Sequence, residues 1–234
     1  MELTKSKARL WSKLGSRAVF GMALFDMAER GVDFYAMSGD LVRSSGLGRF
    51  QEIFPERCIN MGIAEQNMVG VAGGMAKDGT PIFATSFAPF ITMRAAEQVR
   101  MNMGYMQLNV KTVGLGSGLI MAQLGNSHFG IEDVAVMRAI PNITVVSPAD
   151  CGSIVKAVEA ITHHKGPVYL RLTGGPGNPV VYSEEYDFVI GKAITLREGA
   201  DVSIVAAGTM VHTALAAAEM LGEAGLSVQV VDMH

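Results

Sequence analysis

Apolar and polar positions alternate along the chain in two rhythms, one suited to helices and one to short buried strands. Trp11, Leu14, Ala18, Met22 and Phe25 recur at spacings of three and four and predict one amphipathic helix ending near Gly31. Short apolar runs at residues 33–37, 58–61, 81–84, 110–113, 143–146 and 168–172 read as strands. Between them, residues 92–103, 131–139 and 149–163 carry helical patterning, and Pro141 stops the second of these. Strands alternating with helices predict an α/β protein, a doubly wound, mainly parallel sheet with helices on both faces. Ligands of such sheets sit beyond the carboxyl ends of the strands. That places Asp40, the loop after Ala84, the glycine loop after Val113 and Arg171 near one rim.

Residues 174–179, rich in Gly and Pro, read as a linker that closes a first domain of residues 1–180. A second alternation follows, with strands at 190–196, 202–206 and 228–231 and a helix at 209–224. Residues 190–234 are too few for a core of their own, since domains usually need roughly 50 to 200 residues. They are therefore expected to be the beginning of a second α/β domain, truncated at His234.

One carboxylate stands out. Residues 58–76 predict a short strand, a tight turn and a helix of small residues that opens on Glu65. Met68, Val69, Val71, Ala72, Met75 and Ala76 make that helix apolar on most sides, so its entrance is expected to be buried. A buried carboxylate needs a partner or a chemical task.

Composition narrows the setting. The chain is 49% hydrophobic and 18% charged, and its net charge of −3 gives no electrostatic case for nucleic acid. No run of 18 apolar residues suggests a membrane span, and the polar, basic start lacks the apolar segment of a signal peptide. Cys58 and Cys151 have no metal-binding spacing and read as buried thiols of a cytoplasmic protein. The loop 114–118 follows a strand but fails the dinucleotide fingerprint at Leu119, and it reads as a tight turn.

Several short motifs occur in a telling order: Ser38-Gly39-Asp40-Leu41, Gly62-Ile63-Ala64-Glu65-Gln66, Phe87-Ala88-Pro89-Phe90, Arg138-Ala139-Ile140-Pro141-Asn142, Pro148-Ala149-Asp150 and Tyr169-Leu170-Arg171. Together they resemble the pyrimidine-binding domain of transketolases, which are thiamine-diphosphate enzymes. Residues from 190 on, with Ala206-Ala207-Gly208-Thr209, resemble the beginning of the transketolase C-terminal domain. The resemblance implies that Glu65 bonds N1′ of the cofactor's aminopyrimidine and shares a proton with it. That sharing lets the 4′-amino group become an imine, which takes the proton from C2 of the thiazolium. Helix polarity favours the carboxylate and burial disfavours it, a balance suited to a proton-sharing group.

Other roles follow from the same resemblance. Phe87 and Phe90 match aromatic positions that pack on the pyrimidine, although ordinary core aromatics would look alike. Met93 stands where the family has a third aromatic. Asp40 matches a carboxylate near the thiazolium, or serves as a turn residue. Arg17, Ser44 and Arg171 match substrate-phosphate contacts, and each could instead be a surface ion-pair residue. His128 matches a histidine at the substrate end of the site, the alternative being a hydrogen-bonded core residue.

Two departures touch the sugar site. Leu124 occupies the position of an Asp that bonds a sugar hydroxyl in the family, and Gly116 replaces a histidine. Loss of two polar contacts should change which sugar is accepted and puts pentose-phosphate substrates in question. The Gly-Asp-Gly motif that holds the diphosphate and Mg²⁺ (or Ca²⁺) in this family is missing from the chain. The resemblance therefore implies the C-terminal subunit of a split transketolase, with the metal site on an N-terminal partner subunit and self-association as a heterotetramer or about a homodimer core. Met101, Met103 and Met106 suit such an interface, as they would suit a core. The competing readings are the β subunit of a 2-oxoacid dehydrogenase E1 component, deoxyxylulose-phosphate-synthase-like chemistry, and a non-catalytic scaffolding homologue.

Overall fold

The computed structural model describes residues 1–234. Strands β1 (Tyr35–Ser38), β2 (Cys58–Asn60), β3 (Ile82–Phe87), β4 (Val110–Leu115), β5 (Thr144–Val146) and β6 (Val168–Arg171) form one parallel sheet in the order β2-β1-β3-β4-β6-β5. Every residue of the central strands β3 and β4 is buried, as a sheet covered on both faces requires. Helices α1 (Lys5–Leu14), α2 (Ser16–Glu29) and α7 (Cys151–His163) pack together on one face. The other face carries α4 (Glu65–Met75), the short α5 (Ala96–Val99) and α6 (Asp133–Ala139). The doubly wound parallel architecture expected from the alternation is present.

The largest departure lies at the start. The single helix expected over residues 11–31 is two helices, broken at Gly15 with φ of 82°. A Cβ at Gly15 would stand 2.7 Å from the Pro176 nitrogen, so the returning chain needs glycine there. Leu14 and Met22 are consequently exposed, whereas Trp11 is buried from α1 and Phe20 from α2. A short α3 (Gly48–Ile53) also forms between β1 and β2, where the sequence pattern predicts no element.

The helix expected at 92–103 is longer and wider. It runs as π-turns Phe90–Arg94 and Arg100–Tyr105 flanking α5. Such widened turns re-aim side chains and recur at functional sites. Met103 is buried, while Met101 and Met106 are exposed on this element.

A smaller sheet, β7 (Ile194–Arg197), β8 (Val202–Ala206) and β9 (Val228–Asp232), has the order β7-β9-β8 and one antiparallel pair, with α8 (Met210–Glu223) packed on it. It is fastened to the main sheet through polar contacts. The Asp150 side chain caps α7 by accepting from the Ser153 amide at 2.7 Å, and its other oxygen accepts from the Val181 and Tyr182 amides. The Tyr182 hydroxyl donates to Asp232 at 2.7 Å. Both cysteines are buried free thiols, and no helix is long and apolar enough to cross a membrane.

Candidate active site

Because the main sheet is parallel, the segments after β1, β2, β3, β4 and β6 all open on one edge. Asp40, Glu65, Phe87, Gly116 and Arg171 are therefore collected at that edge. Glu65 is the first residue of α4 and is only 1% exposed. Ser86 Oγ on β3 donates to Glu65 Oε1 at 2.8 Å, and Arg94 Nη1 donates to Oε2 at 2.9 Å. Burial pushes this carboxyl toward protonation. The Ser86 hydrogen bond, its own amide at the helix start and Arg94 outweigh burial and leave its pKa below the usual carboxylate value. The carboxylate expected at a buried helix entrance is thus found there, with charge and hydrogen bonds prevailing over desolvation.

Beside it stands an aromatic wall. The Phe87 and Phe90 rings meet edge-to-face at 6.1 Å, and the His128 ring lies edge-on to both, at 5.4 and 5.2 Å. The Arg94 guanidinium covers the Phe90 face at 4.2 Å while bonding Glu65, so one cation spans carboxylate and wall. Gly39 lies against the carboxylate, since a Cβ there would sit 3.4 Å from both Glu65 Oε1 and Ser86 Oγ. A buried carboxylate next to flat apolar rings fits a nitrogen heteroaromatic ring, and so fits the aminopyrimidine end of thiamine. No group of three or more His, Cys, Asp or Glu side chains converges to hold a metal.

Asp40 follows β1 in a left-handed conformation, φ 62°, and is exposed. Its amide donates to Asn60 Oδ1, and Asn60 Nδ2 donates back to its carboxylate, each at 3.1 Å.

Arg17 and Ser44 meet in a second cleft of about 360 Å³, joined by Arg43 and by the backbone of residues 174–176. The cleft lies where two glycines allow the loop after β1 to press on α2. A Cβ at Gly21 would stand 2.0 Å from the Gly46 carbonyl oxygen, and one at Gly46 would stand 2.3 Å from that of Arg17.

Arg171 is not brought into this cleft. Its Nε donates to the buried Asp133 Oδ2 at 2.8 Å, an oxygen that also accepts from the Tyr169 hydroxyl at 2.7 Å. Asp133 at the start of α6 and the Gly130 carbonyl, which accepts from Arg171 Nη2 at 3.4 Å, hold its guanidinium. At Gly116, φ is 62°, and an added Cβ would fall 2.6 Å from Met121 Cγ, so Met121 fills that space. Leu124 is half exposed on a single tight turn, Ala122–Leu124.

Four residues escaped the sequence reading: Ser86, Arg94, Asn60 and Arg43. Ser86 and Arg94 reach Glu65 across 21 and 29 residues, so no local spacing betrays them. Arg43 sits next to Ser44 and could have been suspected on that ground alone.

A carboxylate, an aromatic wall and an anion-suited cleft on the open edge of a parallel sheet define a cofactor-assisted α/β enzyme domain. Residues 12–175 match the family model of the transketolase pyrimidine binding domain, and residues 191–234 match that of the transketolase C-terminal domain. The chain belongs to the transketolase family. It is 41% identical over 90% of its length to a 6-deoxy-6-sulfo-D-fructose transketolase subunit of a Clostridium species, covering 65% of that protein. It is 36% identical over 94% of its length to an apulose-4-phosphate transketolase subunit of Phocaeicola vulgatus, covering 70% of it. Among solved structures it resembles a split-gene transketolase described as an inactive β4 tetramer, with a TM-score of 0.85 and 40% identity over 94% of this chain and 71% of that one. The chain thus spans about two thirds of the length of these relatives.

Proposed function

We propose that this chain is the pyrimidine-side subunit of a two-chain transketolase that transfers a ketol group between sugar phosphates. The observation that carries the reading is Glu65: buried, hydrogen-bonded by Ser86 and Arg94, and presented beside Phe87, Phe90 and His128 in a pyrimidine-binding domain. Residues 1–180 make up that domain, and residues 190–234 open the C-terminal one. Bound thiamine diphosphate supplies the nucleophilic thiazolium carbon. Glu65 holds and exchanges a proton at the pyrimidine N1′, a task suited to a carboxylate with hydrogen-bonded neighbours. Phe87 and Phe90 orient the ring and exclude water from it. Asp40, kept in place by Asn60, would stabilise the cationic thiazolium of a bound cofactor, and His128 would serve the substrate end of the site.

Arg17 and Ser44, with Arg43 beside them, bind the substrate's anionic end. Arg171 reaches that end only if its Asp133 contact yields. The names of the two relatives pair the same chemistry with different sugars. Leu124 and Gly116, which stand where the family has polar sugar contacts, favour a substrate other than the standard pentose phosphates, and Met121 fills the space beside Gly116.

The diphosphate and its Mg²⁺ (or Ca²⁺) fall to an N-terminal partner subunit, since this chain gathers no ligand set for them. Both relatives are named as one subunit of a transketolase, which supports a partner, and so does the inactivity ascribed to a β-only tetramer. Self-association and a reducing, cytoplasmic setting complete the reading, the latter supported by two unpaired buried thiols.

The test combines this chain with a partner carrying the Gly-Asp-Gly motif, thiamine diphosphate, Mg²⁺ and a ketose phosphate. Release of an aldose phosphate that is lost in Glu65→Gln is the expected result. Oxidative decarboxylation of a 2-oxoacid by the same mixture would instead make the chain an E1 β subunit, and inactivity with every partner and sugar would make it a scaffold.

A further inference from the structure

Glu65 does not stand alone at the mouth of α4. Its two oxygens are taken by donors from two different elements, Ser86 from β3 and Arg94 from the π-turn that follows. Such a carboxylate cannot rotate about its last torsion without breaking a bond on each side. The Arg94 side chain has its guanidinium carbon over the Phe90 ring, 4.2 Å from the centroid, and remains 44% exposed. Phe90 and Arg94 are four residues apart at the two ends of this widened turn, a spacing that keeps ring and guanidinium on one face.

We propose that Arg94 is the positioning residue of the proton-exchanging carboxylate, holding Glu65 in plane and ionised for the pyrimidine while it roofs the aromatic wall through Phe90. This rests on the reading of Glu65 as the group that exchanges a proton with N1′. The neighbours of Glu65 leave the role to Arg94. Ser86 is neutral, Gly39 brings no side chain, and Asp40 is turned to Asn60. Arg94 is the charged group that acts on Glu65. An opposite charge in hydrogen-bond contact favours the ionised carboxylate, and partial exposure of Arg94 moderates that effect. The carboxylate is therefore ready as a proton acceptor before any cofactor arrives. The same contact sets how readily it gives the proton back.

The experiment reads Glu65 directly. Glutamate labelled with ¹³C at the carboxyl is introduced into the chain, and the Glu65 resonance is assigned by its absence in Glu65→Gln. In Arg94→Met the titration midpoint of Glu65 should rise by about one pH unit. Arg94→Gln, equally neutral and able to keep a polar contact, serves if the Met variant does not fold, and should shift it in the same direction. Arg94→Lys should restore most of the original midpoint. In the enzyme assembled with its partner, thiamine diphosphate and Mg²⁺, the acidic limb of the kcat/KM profile should move with the titration. A Glu65 midpoint unchanged in a folded neutral variant overturns the proposal and leaves the proton-exchange reading intact. Full activity of Glu65→Gln overturns that reading instead, while the titration still reports whether Arg94 controls the carboxyl.

Discussion

Asp40 and Asn60 clasp one another across the open edge of the sheet, each donating one hydrogen bond to the other at 3.1 Å. Asn60 Oδ1 also accepts from the Gly62 amide at 3.1 Å, so one side chain ties the loop after β1 to the turn that leads into Glu65. Asn60→Ala should therefore free Asp40 and loosen that turn together. The expected outcome is an affinity for thiamine diphosphate lowered about tenfold, on the scale of one or two lost hydrogen bonds, with thermal stability almost unchanged. Cofactor titration of the assembled enzyme, followed by fluorescence, checks it.

The cleft of Arg17, Arg43 and Ser44 should act on binding more than on turnover. Arg17→Ala and Arg43→Ala are each expected to raise KM for the anionic sugar by about tenfold while kcat stays within a factor of a few, because the anionic end is bound equally in ground and transition states. The KM of the native enzyme should rise with salt, and the slope should flatten in either variant. Steady-state kinetics at several ionic strengths measures both.

Asp133 tests the separate position of Arg171. Asp133→Asn removes the charge that receives both Tyr169 and Arg171, in a place where the carboxylate is wholly buried. A loss of about 3 kcal/mol of folding stability is expected, the lower end of the range for breaking a buried pair because Arg171 keeps some contact with water. Urea unfolding reads it. If freed Arg171 then reaches the sugar's anionic end, KM falls while stability falls, a pairing that a purely structural residue would not produce.

Lys111 makes a prediction with pH. It is fully buried on β4, where its ammonium donates to Asn109 Oδ1, the His164 carbonyl and the Gly166 carbonyl. Burial pushes its pKa down to about 7. The unfolded chain, with an ordinary lysine pKa of about 10.4, binds the extra proton between those values, so stability should rise with pH from about 7 to about 10. Lys111→Met should flatten that rise. It should also lower stability at pH 7 by about 2 kcal/mol or more, since three acceptors lose their donor. Denaturant melts at a series of pH values check both.

The sheet, its order of strands and helices, and Glu65 at a buried helix start were legible because they depend on local periodicity. The break at Gly15 was not, because it is imposed by Pro176, distant along the chain. The partners of Glu65 were hidden for the same reason: Ser86 and Arg94 arrive through β3 and a π-turn whose pitch leaves no periodic signature. Phe87 and Phe90 were paired by resemblance, whereas the edge-on contact of His128 with both rings needed the fold. Arg171 shows the limit of that approach. The residue sits at the strand end as expected, but a buried acid on α6 decides where its guanidinium points.

Gly21 and Gly46, which let the loop after β1 rest on α2, give the anion cleft an uneven tolerance to change. Its side chains Arg17, Arg43 and Ser44 lie at the surface and can be exchanged freely, but its floor is backbone pressed on backbone, where a single methyl group would lift the whole loop. Substitution at the rim can therefore alter the grip on the substrate, whereas substitution at either glycine would displace the loop that carries Arg43 and Ser44.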